Sequence, residues 1–167
     1  MPSLTEIYRH KKVLVTGHTG FKGSWLCEWL LKLEAKVYGF ALPPPTKPAL
    51  FEQLQLEHRI FRHQLGDVRN LDALCAYVRE VQPDFVFHLA AQPLVRLSYQ
   101  QPIETYATNV MGTVHVLEAA RHAGSVRAIV NITTAHAFFI CLSLLLLLLL
   151  CFFFVHSACA LSAPHSD

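Results

Sequence analysis

The sequence predicts an α/β fold, a doubly wound parallel sheet with helices on both faces, over residues 1–134. Two observations predict it before any motif is considered. Short β-branched runs alternate with amphipathic stretches of helical period, and the links between them are short. Hydrophobic residues make up 53% of the 167, enough for a core and far above the level of a disordered chain. That length sets an expectation of one domain, or one domain with an appendage.

The elements follow in order. Residues 1–10 are a lead-in without pattern. KKVLVTG (11–17) sets two lysines before a β-branched run and ends on glycine, a buried strand closing in a turn. SWLCEWLLKL (24–33) carries Trp25, Leu26, Trp29, Leu30 and Leu33 at helical spacing, so these residues, the tryptophans included, are expected in the core. AKVYGFA (35–41) is a second strand, and PPPTKP (43–48) is a loop, because proline continues neither ladder nor helix. A short helix over 50–58 leads to a third strand, IFRHQLGD (60–67). NLDALCAYVREV (70–81) places Leu71, Leu74, Tyr77, Val78 and Val81 on one helical face. PDFVFHLAA (83–91) is an apolar strand running into small residues. A long helix is expected from Pro102 to about His122, with Glu104 at its positive end and a stripe of Val110, Val114, Leu117 and Arg121. Gly124 stops it, and VRAIVNITT (126–134) is the next strand.

Charge divides the chain. All 14 Lys and Arg, and 11 of the 12 acids, lie within residues 1–127; none of the four types occurs from Ala128 to Ser166. A net charge of +2 without basic clusters argues against a nucleic-acid surface. Cys27, Cys75, Cys141, Cys151 and Cys159 show no metal-ligand spacing and read as reduced thiols of a cytoplasmic protein. Arg9, Lys11 and Lys12 precede only a few apolar residues, which does not make a signal peptide.

The sharpest local signal is Gly17-His-Thr-Gly20-Phe-Lys-Gly23, between the first strand and the first helix. Gly17 permits the sharp turn, Gly20 lets main chain approach a pyrophosphate, and Gly23 lets helix pack closely on sheet. The anion then faces the free N–H groups of a helix N-terminus. The expected sheet is thus Rossmann-type. A P-loop fails, since Lys22 lies between the second and third glycines rather than following four intervening residues. The acid expected about twenty residues after the first glycine, for the ribose of NAD, is missing. Val37–Leu42 holds neither an acid nor an Arg for a 2′-phosphate, so NAD and NADP both stay open. Asp67, after the third strand, is either an acceptor for the adenine amino group or an ordinary turn residue before Arg69 and Asn70.

Five segments carry a likeness: VLVTGHTGFKGSWL (13–26), KVYGFALPPPTKPALFE (36–52), GDVRNLDAL (66–74), FVFHLAAQPLVRLSYQQPIETYATNVMGTVHVLEA (85–119) and GSVRAIVNITT (124–134). They resemble the extended short-chain dehydrogenase/reductases that act on sugar nucleotides, the NAD-dependent epimerase/dehydratase family. Within it the likeness is nearer to the CDP-glucose 4,6-dehydratases and covers about residues 10–134. It implies a lyase of nucleotide-sugar metabolism, with NAD as cofactor (NADP open), a nucleotide-sugar substrate and a homodimer in the intact family fold. Hydride would leave sugar C4, water would be lost across C5 and C6, and hydride would return to C6. By this resemblance Gly17, Gly20 and Gly23 form the pyrophosphate cradle, with Phe21 and Lys22 lining its edge, and Asp67 and Val68 contact the adenine; His18, from its position in the glycine turn, is expected near the phosphates. Leu89, Ala90, Ala91 and Gln92 let the ribose pack closely, and Thr108 and Asn109 form a helix polar pair, Asn109 bracing the site backbone. Thr133 takes the catalytic threonine position, while Arg96 and Tyr99 line the substrate cleft.

The likeness stops after Thr133. Ala135 stands where the family has its acid, His136 has weak claim to replace it, and no Tyr follows Tyr106, so the Tyr-x-x-x-Lys pair is absent. Glu34 replaces the glycine that caps the first helix. The expectation is therefore a truncated NAD(P)-binding Rossmann domain (1–134), incomplete after about the fifth strand and inactive alone, followed by an aberrant apolar tail (135–167). Ala137–Val155 is nineteen uncharged residues with seven consecutive leucines, long enough to span a membrane. A frameshift, read-through or gene-model break is the preferred explanation, ahead of a membrane anchor or a core helix. The alternatives are a fragment of another sugar-nucleotide epimerase or dehydratase, or a non-enzymatic, membrane-tethered nucleotide-binding module. Ten histidines form no ligand-like cluster, and no metal site is expected.

Overall fold

A computed structural model describes residues 3–132. Five strands, β1 (Lys12–Thr16), β2 (Lys36–Ala41), β3 (Arg62–Leu65), β4 (Phe85–His88) and β5 (Ala128–Asn131), form one sheet in the order β3-β2-β1-β4-β5. Every pairing is parallel, with Val13 opposite Val37 on one side and Phe85 on the other. The helices are α1 (Leu4–Tyr8), α2 (Phe21–Lys32), α3 (Leu50–Gln53), α4 (Leu56–Arg59), α5 (Leu71–Val81), α6 (Val95–Gln100), α7 (Pro102–Tyr106) and α8 (Gly112–Ala123). A π-helical segment, Ala107–Met111, joins the last two.

Strand alternation divides the core in two. Val13, Val15 and Val37 pack with Cys27 and Leu30 of α2 and with Phe51, Leu56 and Ile60. Leu14, Tyr38, Phe40 and Val86 face the other way, onto Leu74, Tyr77, Val78 and Val81 of α5 and Val116 and Ala119 of α8. Both faces are covered, which is why the strands read as near-continuous apolar runs.

Several expectations need correction. The lead-in holds a helix, α1, started by a capping box in which Ser3 and Glu6 satisfy each other's main-chain N–H. The helix expected over 50–58 is broken in two at Gln55, whose φ is 49°. Trp25 and Trp29 are not core residues: each is about half exposed, and α2 buries Gly23, Ser24, Cys27 and Leu30 instead. The stripe of Val110, Val114 and Leu117 is likewise exposed, while α8 buries Gly112, Val116, Ala119 and Ala120. Close approach is local to the start of α8, where a Cβ on Gly112 would lie 2.8 Å from Val68 Cγ2. Glu34 does adopt the left-handed conformation, at φ 57°, and pairs with Arg9 at 2.9 Å.

Among the described residues no helix is long and apolar enough to cross a membrane. The 137–155 run, Thr133, and the readings of the tail lie outside them.

Candidate functional site

The β1–α2–β2 crossover leads to one side of β1 and β4 lies on its other side, so a crevice opens at the carboxyl ends of β1 and β4. The glycine turn lies on one bank and Leu89–Gln92 on the other.

Two of the three glycines are demanded by the protein itself. Gly17 has φ 75°, and a Cβ there would lie 2.7 Å from Ala90 N. At Gly23 a Cβ would lie 2.1 Å from Gly17 O. Gly20 differs, since its Cβ would meet Gly17 O at 3.4 Å, an ordinary contact, and its φ is −75°. Gly20 is the N-cap of α2 and offers no side chain to the free N–H groups behind it. Buried hydroxyls hold the turn in shape. Ser24 Oγ donates to His18 O (3.1 Å) and lies 2.9 Å from Gly20 O, and Thr19 Oγ1 donates to Leu42 O at 2.8 Å, tying the turn to the end of β2. Phe21 and Lys22 are exposed at the lip.

The His18 imidazole, expected near the phosphates of a cofactor, turns into the core instead. It is fully buried, lies over Gly39, and packs against Phe51 and His63 at centroid distances of 5.3 and 5.5 Å. Burial, then the neighbouring His63, lowers its pKa to about 3, so it is a neutral core ring. Only the main chain of His18 belongs to the turn.

On the opposite bank, Asn109 grips one residue from both sides: Oδ1 accepts Gln92 N–H at 2.7 Å and Nδ2 donates to Gln92 O at 3.1 Å. Gln92 Nε2 donates to Thr105 Oγ1 at 3.2 Å. Ala90 and Ala91 are half-buried, with the main chain of Ala90 against Gly17, and Thr108 lies half-buried in the π segment. Just after β3, Asp67 Oδ1 accepts Arg69 N–H (2.9 Å) and Oδ2 accepts Arg69 Nε–H (2.8 Å). The Arg69 side chain holds this carboxyl below its usual range and also pairs with Glu104. Asp67 thus organises its own turn. Val68 is buried beneath Gly112, and His115 Nδ1 donates to its carbonyl at 2.9 Å, so what it can present to a ligand is main chain. Arg96 and Tyr99 lie on α6 and are both exposed. No group of three metal-ligating side chains occurs among the described residues.

Sequence reasoning missed Thr16, Thr19, Ser24, His88 and Thr113 as parts of this site. Their buried hydrogen bonds reach across 72 positions in one case, which no local pattern announces.

Residues 14–138 match the family model described as GDP-mannose 4,6 dehydratase. The chain belongs to the GDP-mannose 4,6 dehydratase family. A CDP-glucose 4,6-dehydratase of Salmonella typhimurium is 55% identical over 127 residues, 76% of this chain and 35% of that protein. The chain therefore spans about a third of the length of the curated relatives it matches. Among solved structures, a UDP-glucose-4-epimerase from Stenotrophomonas maltophila with bound NAD and formylated UDP-arabinopyranose superposes with a TM-score of 0.67. It is 26% identical, over 76% of this chain and 38% of that one. A Thermus thermophilus UDP-glucose 4-epimerase in complex with NAD gives 0.60 at 30% identity, over 68% and 35%. The dehydratase-family likeness read from HTGFKGSWL and HLAAQPLVRLSY is thus borne out, and so is the α/β class, with a five-stranded parallel sheet.

Proposed function

We propose that residues 1–134 are the NAD(P)-binding part of a sugar-nucleotide 4,6-dehydratase acting on CDP-glucose. The observation that carries the cofactor half is the contrast among the glycines. Gly17 and Gly23 are forced by protein packing, whereas nothing in the protein crowds Gly20, where main chain and helix N-terminus open together onto the crevice. A missing side chain with no internal cause fits a ligand that must come close. The substrate half is supported by the 55% identity to the Salmonella protein.

In this reading the N–H groups at the start of α2 hold the pyrophosphate, and Lys22 adds charge at the lip. The loop at Asp67–Val68 borders the adenine through main chain, and the Leu89–Gln92 bank, held by Asn109, packs on the ribose next to the nicotinamide. A nicotinamide cofactor held there would supply reversible acceptance of the hydride exchanged with the sugar. Thr133, just beyond β5, is assigned the hydrogen bond to the sugar 4-hydroxyl, with Arg96 and Tyr99 on the substrate side. Ala135 has no proton to give and no Tyr follows Tyr106, so the 167-residue chain alone is expected to release no 4-keto-6-deoxy product from CDP-glucose.

Calorimetric titration of the whole chain with NAD and with NADP tests the reading. Binding is expected for at least one of them, weakened about tenfold or more by Gly20→Ala with the melting temperature unchanged. Absence of heat at millimolar cofactor, or a Gly20→Ala chain that binds as the parent does, overturns it.

A further inference from the structure

A run of hydrogen bonds joins β1 at the glycine turn to the Asn109 grip, through His88 beneath the sheet end. Counting protons gives it a direction. Thr113 Oγ1 donates to the Asn109 carbonyl at 2.8 Å, so its one proton is committed. His88 Nε2, 3.1 Å from that hydroxyl, must then be the donor. Burial lowers the His88 pKa to about 4, so at neutral pH the ring carries a single N–H. Nδ1 is accordingly an acceptor, and the Thr16 hydroxyl donates to it at 2.7 Å. Thr16 Oγ1 in turn accepts Ala90 N–H at 3.4 Å.

The run ends on a backbone that needs fixing. Asn109 lies in the π segment, where Gly112 N–H bonds the Ala107 carbonyl five residues back. Such a segment holds one residue too many for the α ladder, and its register is set by what surrounds it. Here the Asn109 carbonyl is tied by Thr113, and its side chain grips both main-chain groups of Gln92.

We propose that His88 is a positioning residue, held as the Nε2–H tautomer, which fixes the π segment through Thr113 and thereby the Asn109 grip on Gln92. This deepens the NAD(P)-binding reading and rests on it for the ligand alone. His88 touches no ligand itself, being 2% exposed. Its work is to lock two banks of one crevice, β1 at the glycine turn and the Gln92 main chain, into a single geometry.

The test uses the full ¹⁵N-labelled chain. Nitrogen shifts of the His88 ring at pH 7 are expected to show Nε2 protonated and Nδ1 bare; an Nδ1–H tautomer or an imidazolium overturns the proposal. Thr113→Val keeps the side-chain shape and removes the hydroxyl. In it, exchange of the Gln92 amide is expected to quicken about tenfold or more while the Leu14 and Val15 amides keep their protection. Thr113→Ser is expected to restore Gln92 protection to within about twofold. Wild-type protection of Gln92 in Thr113→Val, or a loss that Ser does not rescue, overturns the proposal. NAD titration of the same chains separates the two readings. A parent chain that binds no cofactor sinks the binding reading, and the ring tautomer and the exchange rates still decide the role of His88.

Discussion

α2 and α5 look alike as sequences and pack in opposite ways. Each carries large apolar residues at helical spacing, but α5 turns Leu74, Tyr77, Val78 and Val81 inward. α2 turns Gly23, Ser24 and Cys27 inward with Leu30, and leaves Trp25 and Trp29 half exposed. The difference lies in how near each helix must come to the sheet. α5 has room for bulk between itself and β1–β2. α2 begins at the glycine turn, where its first turn almost touches the main chain of Gly17, so only small side chains fit beneath it. One helix builds core and the other aims an N-terminus, and the aiming helix gives up bulk to do so.

Three experiments break or sharpen that contrast. Gly23→Ala should have the largest effect. A Cβ 2.1 Å from a carbonyl oxygen cannot be absorbed by rotating a side chain, so α2 must lift from the turn. A loss of more than about 4 kcal/mol is expected, beyond the usual range of point substitutions. A urea midpoint close to that of the parent would refute close approach as the reason for the small residues. Next come Leu74→Ala and Trp25→Ala as a pair. The first empties a fully buried site and should lose about 3 kcal/mol, the second less than about 0.5 kcal/mol despite removing the larger ring. Equal losses would mean that the α2 face is core after all.

The third concerns a histidine under each helical layer, His18 on the α2 side and His88 on the α8 side. Burial lowers them to about 3 and about 4, below their unfolded value of about 6.5. Between those limits the unfolded chain binds more protons, so stability is full above about pH 6.5 and falls with acid, by up to about 1.4 kcal/mol per pH unit for each ring. His18→Leu should about halve the slope of the urea midpoint between pH 6 and pH 4.5, whatever it does to the midpoint itself. An unchanged slope would show that His18 is not a buried neutral ring.

The same contrast explains what could be read from the residues. α5 was legible because the residues that pack are the residues that stand out. α2 and α8 are legible as helices but not in rotation, because the glycine, serine and alanine that they bury carry little hydrophobic signal. The glycine turn is legible as a tight strand-to-helix turn, yet the direction of the His18 side chain depends on Gly39, Phe51 and His63 arriving from elsewhere in the chain. α6 spans only Val95–Gln100, too short for a period to emerge. Asn109 came from the family likeness as a brace, and its partner Gln92 only from the structure. Ser24, Thr16 and Thr113 are ordinary hydroxyl residues whose use is decided entirely by tertiary contact.

The strand order also sets a timetable for synthesis. Thr16 of β1 waits for His88, 72 residues further on, before its hydroxyl has a partner. As the chain emerges, β1 and β2 can pair early, which leaves the far edge of β1 open beside a turn already bent by its glycines. Closing so long a loop is slow, and an open apolar edge invites neighbours in the meantime. The crevice has only one bank until Asn109 has been made and folded. The crevice is therefore a late product of folding, and conditions that slow the docking of β4 should lower the yield of folded protein before they lower its final stability.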